Sequence, residues 1–217
     1  MNAIAPDVVT LGNHETDYGI AHLLFLEKCA KFPIINANLY IKSNFTRLFN
    51  PYKIIEIDGM KILFIGIITE EVIAQAKKDE LIGSFVDIHE AAAEIGRICN
   101  AYNSTDIDFT VLLTHIGFEE DKQLAAILDS DWGVDIIIGG HSHPFLEKPE
   151  IVNGIPIVQA GTGTDCIGRF DIVVDTQENC IDSYNWQSVE INEHNCVPDP
   201  EIEKVLNRYK SETDKKY

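Results

Sequence analysis

Eight short runs rich in Val, Ile or Leu recur along the 217-residue chain, bounded by Gly, Asn, Asp or Pro. Runs of that length and composition are typical of buried strands. They are Asp7–Leu11, Pro33–Leu39, Tyr52–Ile57, Lys61–Ile68, Phe109–Leu113, Val134–Ile138, Ile155–Gln159 and Arg169–Val174. Between them, apolar residues three and four apart predict helices over Ile20–Cys29, His89–Tyr102 and Asp121–Leu128, and Asp58-Gly59 predicts a tight hairpin. This alternation indicates a layered α/β domain with mixed sheets.

The sequence becomes more polar after about Asp175. A further helix is predicted over Pro200–Lys210, because Asp199 is placed to cap it and proline is favoured at the first helical position. We therefore expect a main domain over residues 1–180. Residues 181–217 are expected to form a linker and a connecting helix.

The chain is strongly acidic, with a formal net charge of −18 from 17 Lys and Arg against 35 Asp and Glu. Such a surface repels nucleic-acid polymers and anionic membranes, so neither is an expected partner. A small phosphorylated substrate would also be repelled unless bound metal ions reversed the local field. The apolar runs are too short to span a bilayer, and the sequence as written carries no export signal, so no compartment is assigned.

Three of the predicted strands run directly into residues that bind metals. Asn13 and His14 follow the first strand, His115 follows the fifth, and His141 and His143 follow the sixth. Because ligands gather outside the carboxyl ends of strands in open α/β sheets, we expect these five side chains to converge. Imidazole and amide oxygen suit borderline divalent ions such as Zn, Mn, Fe, Co or Ni.

These segments resemble a known family. The segments Met1–Gly19, Leu112–Gly117 and Gly139–His143 are similar to the motifs of the calcineurin-like metallophosphoesterases. Phe32–Leu39 and Lys61–Gly66 are similar to the 5′-nucleotidase branch of that family. The resemblance extends to about residue 210. It implies a four-layer α/β/β/α sandwich with mixed sheets that holds two divalent metal ions.

The resemblance also implies a role for each candidate metal ligand. Asn13, His115 and His141 match ligands of one metal ion, and His143 matches a ligand of the other. Two ions about 3.5–4 Å apart would activate a hydroxide and clamp the phosphoryl oxygens.

Two further residues match the family's acid–base pair. His14 corresponds to the histidine that hydrogen-bonds the phosphate and protonates the leaving oxygen, and Asp17 to the carboxylate that pairs with it. A charged His14 would neutralise the developing charge on the leaving group. Asn13 and His14 would therefore contact the substrate.

The chain departs from the family pattern at both ends. Relatives have a D-x-H and a G-D motif before the G-N-H-E segment, and neither occurs in the twelve residues before Asn13. Asp87-Ile88-His89 has the letters of the first motif, but we interpret it as a helix start. We therefore expect an N-terminally truncated sheet with an unpaired edge near Met1–Leu11, and at most one tightly bound metal ion. We also expect this chain to lack the nucleobase-binding C-terminal domain of the family.

The leading hypothesis is a 5′-nucleotidase-like metal-dependent phosphatase of nucleotide catabolism. We expect this chain to be inactive on its own, because activity would need a missing N-terminal segment and C-terminal domain. Its partner would be a small phosphorylated substrate, a nucleotide. The alternatives are a non-catalytic remnant that acts as a binding module, or a cyclic-nucleotide phosphodiesterase or nucleotide-sugar hydrolase. Full-length relatives in this branch are commonly exported.

Three polar residues near the predicted site have competing interpretations. Asn36 and Asn38 end a predicted strand and either orient a metal ligand or satisfy a turn, and we favour the turn. Glu15 lies beside the predicted ligands, and we favour a role at the start of a helix or behind the ligands over direct metal ligation.

Overall fold

The computed structural model describes residues 1–68, 82–84, 87–102, 105–163 and 165–214. The helices are α1 (Ile20–Cys29), α2 (Ile88–Ala101), α3 (Phe118–Ile127) and α4 (Pro200–Asp214). The strands are β1 (Val9–Thr10), β2 (Ile34–Ile35), β3 (Leu39–Ile41), β4 (Thr46–Arg47), β5 (Tyr52–Ile57), β6 (Met60–Ile68), β7 (Ile82–Ser84), β8 (Phe109–His115), β9 (Ile136–Ile138), β10 (Glu150–Val152), β11 (Ile155–Val158), β12 (Cys166–Asp175) and β13 (Cys180–Glu190).

A six-stranded mixed sheet organises the domain, in the order β10-β11-β9-β8-β6-β5. Its four central strands are parallel, and β10 and β5 are antiparallel strands at the two edges. β5 and β6 are joined by the Asp58-Gly59 turn, in which both residues have positive φ, as a two-residue hairpin requires. The mixed α/β fold predicted from the sequence is therefore confirmed.

One face of this sheet carries the main hydrophobic core. Leu63 and Ile65 of β6 and Leu112 of β8 pack against Ile95 of α2 and Leu124 of α3, and all five side chains are at most 1% exposed. Alternate residues of a strand point to opposite faces, so these apolar positions face the helices. Helices α2 and α3 thus form one outer layer.

The opposite face packs against a long antiparallel hairpin made by β12 and β13. Phe109 and Val111 of β8 contact a cluster that includes Phe170 and Ile172 of β12. The two strands pair from Cys166 opposite Glu190 to Asp175 opposite Cys180. Because this hairpin packs on the sheet, it belongs to the domain. We therefore propose that the boundary expected at residue 180 lies after residue 190.

A smaller layer carries the first part of the candidate site. β1 and β2 pair in parallel, and β2 is the one strand that pairs with β1 in the described part of the chain. Leu11 packs with Leu23 of α1 in a second core. A Cβ atom on Gly66 of β6 would lie 2.5 Å from the carbonyl oxygen of Ile35, so glycine permits the close crossing of β2 over β6.

The predicted strand Pro33–Leu39 is interrupted by two buried asparagines. The side chain of Asn38 accepts from Ile68 N (3.0 Å) and donates to Ile68 O (2.9 Å), in the way that a strand backbone would. Asn36 Oδ1 accepts from Asn38 N at 3.2 Å. Both side chains therefore satisfy backbone groups at a bend, as favoured from the sequence.

Helix α4 begins as predicted and extends to Asp214. Asp199 Oδ1 accepts from the backbone N–H groups of Glu201 and Ile202, which are left unpaired at a helix start. None of its described residues is buried. No helix in the described ranges is long and apolar enough to cross a membrane.

Candidate metal centre

Two of the ligand-bearing segments leave neighbouring parallel strands at the same edge of the sheet. His115 is the last residue of β8, and the segment from Gly139 to His143 follows β9 directly. A 3₁₀ turn over Asn13–Thr16 follows β1 at this edge. The strand order therefore brings together residues that are far apart in sequence.

Three of the predicted ligands form a compact group. His115 Nε2 donates to Asn13 Oδ1 across 2.8 Å. The rings of His115 and His141 have centroids 5.1 Å apart and meet edge to face. These are the side chains that the resemblance assigns to a single metal ion.

Glycines leave room for this approach. A Cβ on Gly140 would lie 2.9 Å from His115 Nδ1, and a Cβ on Gly12 would lie 3.0 Å from His115 Cε1. Real Cβ contacts are essentially never as short as the first, so any larger residue at position 140 would move the imidazole. The glycines before the ligands thus permit the close approach of these segments.

The environment of His115 favours a neutral ring. Burial lowers its pKa below the usual value of 6.5, and electrostatic repulsion from the neighbouring His141 ring lowers it further. The nearby Glu15 raises the pKa of His115, whereas His143 lowers it. A metal-binding imidazole must be unprotonated at the ligating nitrogen, so this electrostatic setting suits a ligand.

His14 lies beside the group and pairs with Asp17. Its Nδ1 donates to Asp17 Oδ2 at 2.9 Å, and its side chain is 81% exposed. The hydrogen bond to Asp17 raises the pKa of His14, and the negative charge of Asp17 adds to this effect. The ring therefore faces solvent next to Asn13 with a carboxylate behind it.

His143 shares a left-handed backbone conformation with His141. It is exposed and has a φ of 60°, while His141 has a φ of 86°. Such left-handed conformations are uncommon for residues with a side chain and cluster at functional sites. His143 lines a cavity of about 430 Å³ with Phe145 and Cys166.

The residues that meet here include donors that could hold a divalent ion. Across the described ranges, no group of three or more His, Cys, Asp and Glu side chains is arranged to hold a metal. One amide oxygen and two imidazoles remain, which suit a borderline divalent ion. Glu15 Oε2 is engaged at 2.7 Å by Gly12 N, in the helix-start role favoured from the sequence.

The structure adds residues that the sequence did not single out. Ser142 Oγ accepts from Phe118 N at 2.8 Å and so links the turn after β9 to the start of α3. Asp121 is fully buried on α3. Its place in a helical pattern gave one signal, since an acid on the buried side of an amphipathic helix is unusual.

The Asp87-Ile88-His89 triplet is a helix start, as interpreted. Asp87 is the N-cap of α2, and its carboxylate accepts from His89 N at 2.7 Å. It lies outside the candidate centre.

Comparison with protein families gives a direct assignment. The profile of the calcineurin-like phosphoesterase family matches residues 1–145. The chain belongs to this family. The profile match therefore confirms the family expected from the motifs. Calcineurin-like phosphoesterases hydrolyse phosphoric esters and generally use two divalent metals.

Curated relatives of this phosphoesterase include several 5′-nucleotidases. A snake venom 5′-nucleotidase from Gloydius brevicauda is 29% identical, and the match covers 97% of this chain and 38% of the relative. A 5′-nucleotidase from Vibrio cholerae is 33% identical, and the match covers 85% of this chain and 38% of the relative. The chain thus spans about two fifths of the length of these relatives.

A solved structure supports the fold. The sulfate thiohydrolase SoxB of Thermus thermophilus superposes with a TM-score of 0.85 at 18% identity, over 95% of this chain and 37% of that one. At that identity, the likeness concerns the fold alone.

Proposed function

We propose that this phosphoesterase chain provides the ligands for one of the two metal ions of a 5′-nucleotidase-like site. The complete site would hydrolyse phosphomonoesters of nucleotides. The observation that carries the proposal is the meeting of Asn13, His115 and His141, with the His14–Asp17 pair beside them. The 5′-nucleotidase relatives support the nucleotide as substrate class.

Asn13 Oδ1, His115 Nε2 and a nitrogen of His141 would hold one divalent ion. When bound, such an ion polarises a phosphoryl oxygen and lowers the pKa of bound water. The net charge of −18 disfavours the approach of a phosphate ester, and a bound cation would offset that repulsion at the site. The proton of His115 Nε2 would have to leave that nitrogen before it could act as a ligand.

His14 would contact the transferred phosphate. Because Nδ1 is engaged by Asp17, its Nε2 is available to donate a hydrogen bond to a phosphate oxygen. The raised pKa of His14 favours the protonated ring, which can pass a proton to the leaving oxygen. Asp17 would hold the ring in place and stabilise its charge.

We propose that this chain alone binds at most one metal ion tightly and has little phosphatase activity. The support is the donor set, in which His143 is the sole family-matched ligand for a second ion in the described part of the chain. Carboxylate ligands for that ion and contacts to a nucleobase would have to be supplied by other residues.

The first test is a Co²⁺ titration of the full chain, followed by calorimetry with adenosine monophosphate. We expect one Co²⁺ per chain, binding lost in His115→Ala, and nucleotide binding that requires Co²⁺ and is weakened in His14→Ala. His89→Ala is the matched control, because His89 is an exposed histidine on α2. Absence of Co²⁺ binding would favour a non-catalytic module instead.

A second test addresses activity. The chain is assayed with a generic aryl phosphate in the presence of Mn²⁺ or Co²⁺. We expect no turnover above that of His115→Ala. Robust turnover that His115→Ala abolishes, or two metal ions per chain by elemental analysis, would overturn the proposal of an incomplete site.

A further inference from the structure

A carboxylate is buried directly behind the candidate metal centre. Asp121 on α3 is 0% exposed, which is rare for an acid. Its Oδ1 accepts from Thr114 Oγ1 at 2.6 Å, and its Oδ2 accepts from Gln159 Nε2 at 3.1 Å. A single side chain thus binds donors from the ends of β8 and β11.

Each contact of Asp121 adjoins a segment that carries a candidate ligand. Thr114 directly precedes His115 in β8. A Cβ on Gly139 would lie 2.1 Å from Asp121 Oδ2, so the backbone that leads to His141 lies against the carboxylate. Gln159 O accepts from Leu146 N at 3.3 Å, which connects the same network to the loop after His143.

We propose that Asp121 is a positioning residue that fixes the ends of β8, β9 and β11 so that His115 and His141 face the same point. Its two acceptor oxygens link separate segments, which an apolar side chain at the same place could not do. As a contribution to metal binding, the inference rests on the proposed function. The arrangement of the side chains does not depend on that function.

The environment of Asp121 agrees with a hydrogen-bonding role. Burial raises its pKa to about 7, while the hydrogen bonds from Thr114 and Gln159 act in the opposite direction. Glu120 is the charged group that acts on it, and it raises the pKa as well. Near neutral pH the carboxyl is therefore held by neutral donors rather than by a cation.

The first readout needs no metal. Because Asn13 Oδ1 can only accept, His115 carries its proton on Nε2, and ¹H–¹⁵N spectra of the histidine rings report this tautomer. We expect Asp121→Ala to lose the fixed Nε2–H signature of His115. Asp121→Asn should retain it, because the amide oxygen still accepts from Thr114 and Gln159 can turn its own amide to pair with the new donor.

Asp135 provides a matched control. It is also largely buried, burial raises its pKa to about 7, and its carboxylate accepts from Thr110 N at 2.7 Å. Asp135 lies just before β9 and Thr110 near the start of β8, at the opposite end of the sheet from the candidate ligands. Asp135→Ala should leave the His115 signature unchanged even if it lowers stability.

The second readout is Co²⁺ affinity. Residues that orient metal ligands typically change affinity by about 10- to 100-fold when removed, and we expect that loss in Asp121→Ala. Asp121→Asn and Asp135→Ala should stay close to the wild type. If Asp121→Ala does not fold, Thr114→Val keeps the branched shape, removes one donor, and should also disturb the His115 signature.

The outcomes separate the two proposals. An unchanged His115 signature in Asp121→Ala or, if that variant does not fold, in Thr114→Val would overturn the positioning role. An equal loss in Asp135→Ala would also overturn it. If the wild type binds no Co²⁺ but Asp121→Ala still loses the signature, the metal centre fails and the positioning role stands.

Discussion

His115 Nε2 and Asn13 Oδ1 lie 2.8 Å apart, although 102 positions separate the two residues in sequence. Two donors bound to one ion at about 2.1 Å each and at right angles would be separated by about 3 Å. The hydrogen-bonded pair therefore has the spacing of two adjacent metal ligands.

This relationship predicts that a metal ion and the hydrogen bond exclude each other. On titration with Zn²⁺, the proton of His115 should move from Nε2 to Nδ1, which ¹⁵N chemical shifts report. Asn13→Ala should weaken binding at least about 10-fold, because an oxygen donor is lost. Asn44→Ala, a change in an exposed loop, is the control. Zn²⁺ binding that leaves the Nε2–H signal intact would rule out His115 Nε2 as a ligand.

Gly140→Ala should weaken metal binding more than it lowers stability. The added methyl would lie 2.9 Å from His115 Nδ1 and would displace the ring from its position beside Asn13. Gly140 has no positive φ, so alanine adds no backbone strain there. Co²⁺ titration and thermal unfolding of the same samples would separate the two effects. Equal affinity in the variant and the wild type would contradict the close packing.

Gly96→Ala tests the packing of α2 against the indole of Trp132. A Cβ on Gly96 would lie 2.3 Å from Trp132 Cζ2, so the ring must move. Overpacking of this kind typically lowers the free energy of unfolding by about 1–3 kcal/mol. Urea unfolding followed by tryptophan fluorescence measures the loss. Ala93→Ser, at an exposed position of the same helix, should change stability little.

Asp135→Asn should change how stability depends on pH. Burial raises the pKa of Asp135 from 3.8 to about 7, so between these values the folded chain binds a proton that the unfolded chain has released. This group therefore makes the wild type less stable as pH rises from about 4 to about 7, and its effect is constant above that range. Asparagine still accepts from Thr110 N and cannot ionise.

The measurement compares urea unfolding of Asp135→Asn and the wild type at pH 5 and pH 8. The variant should gain stability relative to the wild type at the higher pH. If the difference in free energy of unfolding between variant and wild type is the same at both pH values, the carboxyl titrates as an ordinary exposed acid.

The candidate ligands were predictable because they follow strands directly. Strand periodicity and the short glycine-rich turns determine where His115 and His141 emerge, and parallel neighbours bring them to one edge. The cap at Asp87 and the turn at Asp58 follow from local chemistry in the same way. Local rules were sufficient for these features.

Long-range pairing explains what the sequence did not reveal. β13 is a polar strand that gains its order from pairing with β12, so composition alone placed it in a linker. The bend at Asn38 depends on Ile68, 30 positions away. The helical pattern marked Asp121 as unusual but not its partners, because Thr114 in β8 and Gln159 just after β11 come close to it only in the folded chain.

The close crossing at Gly66 has a consequence for interpreting genetic variants of this family. The hydrogen atom of Gly66 faces the Ile35 carbonyl and the Thr10 hydroxyl, 2.5 and 2.7 Å from where a methyl carbon would be. The crossing holds β1 near β6, and β1 leads into Asn13. In a selection for Co²⁺ binding, position 66 should tolerate as few substitutions as the ligands themselves, although glycine brings no functional group to the site.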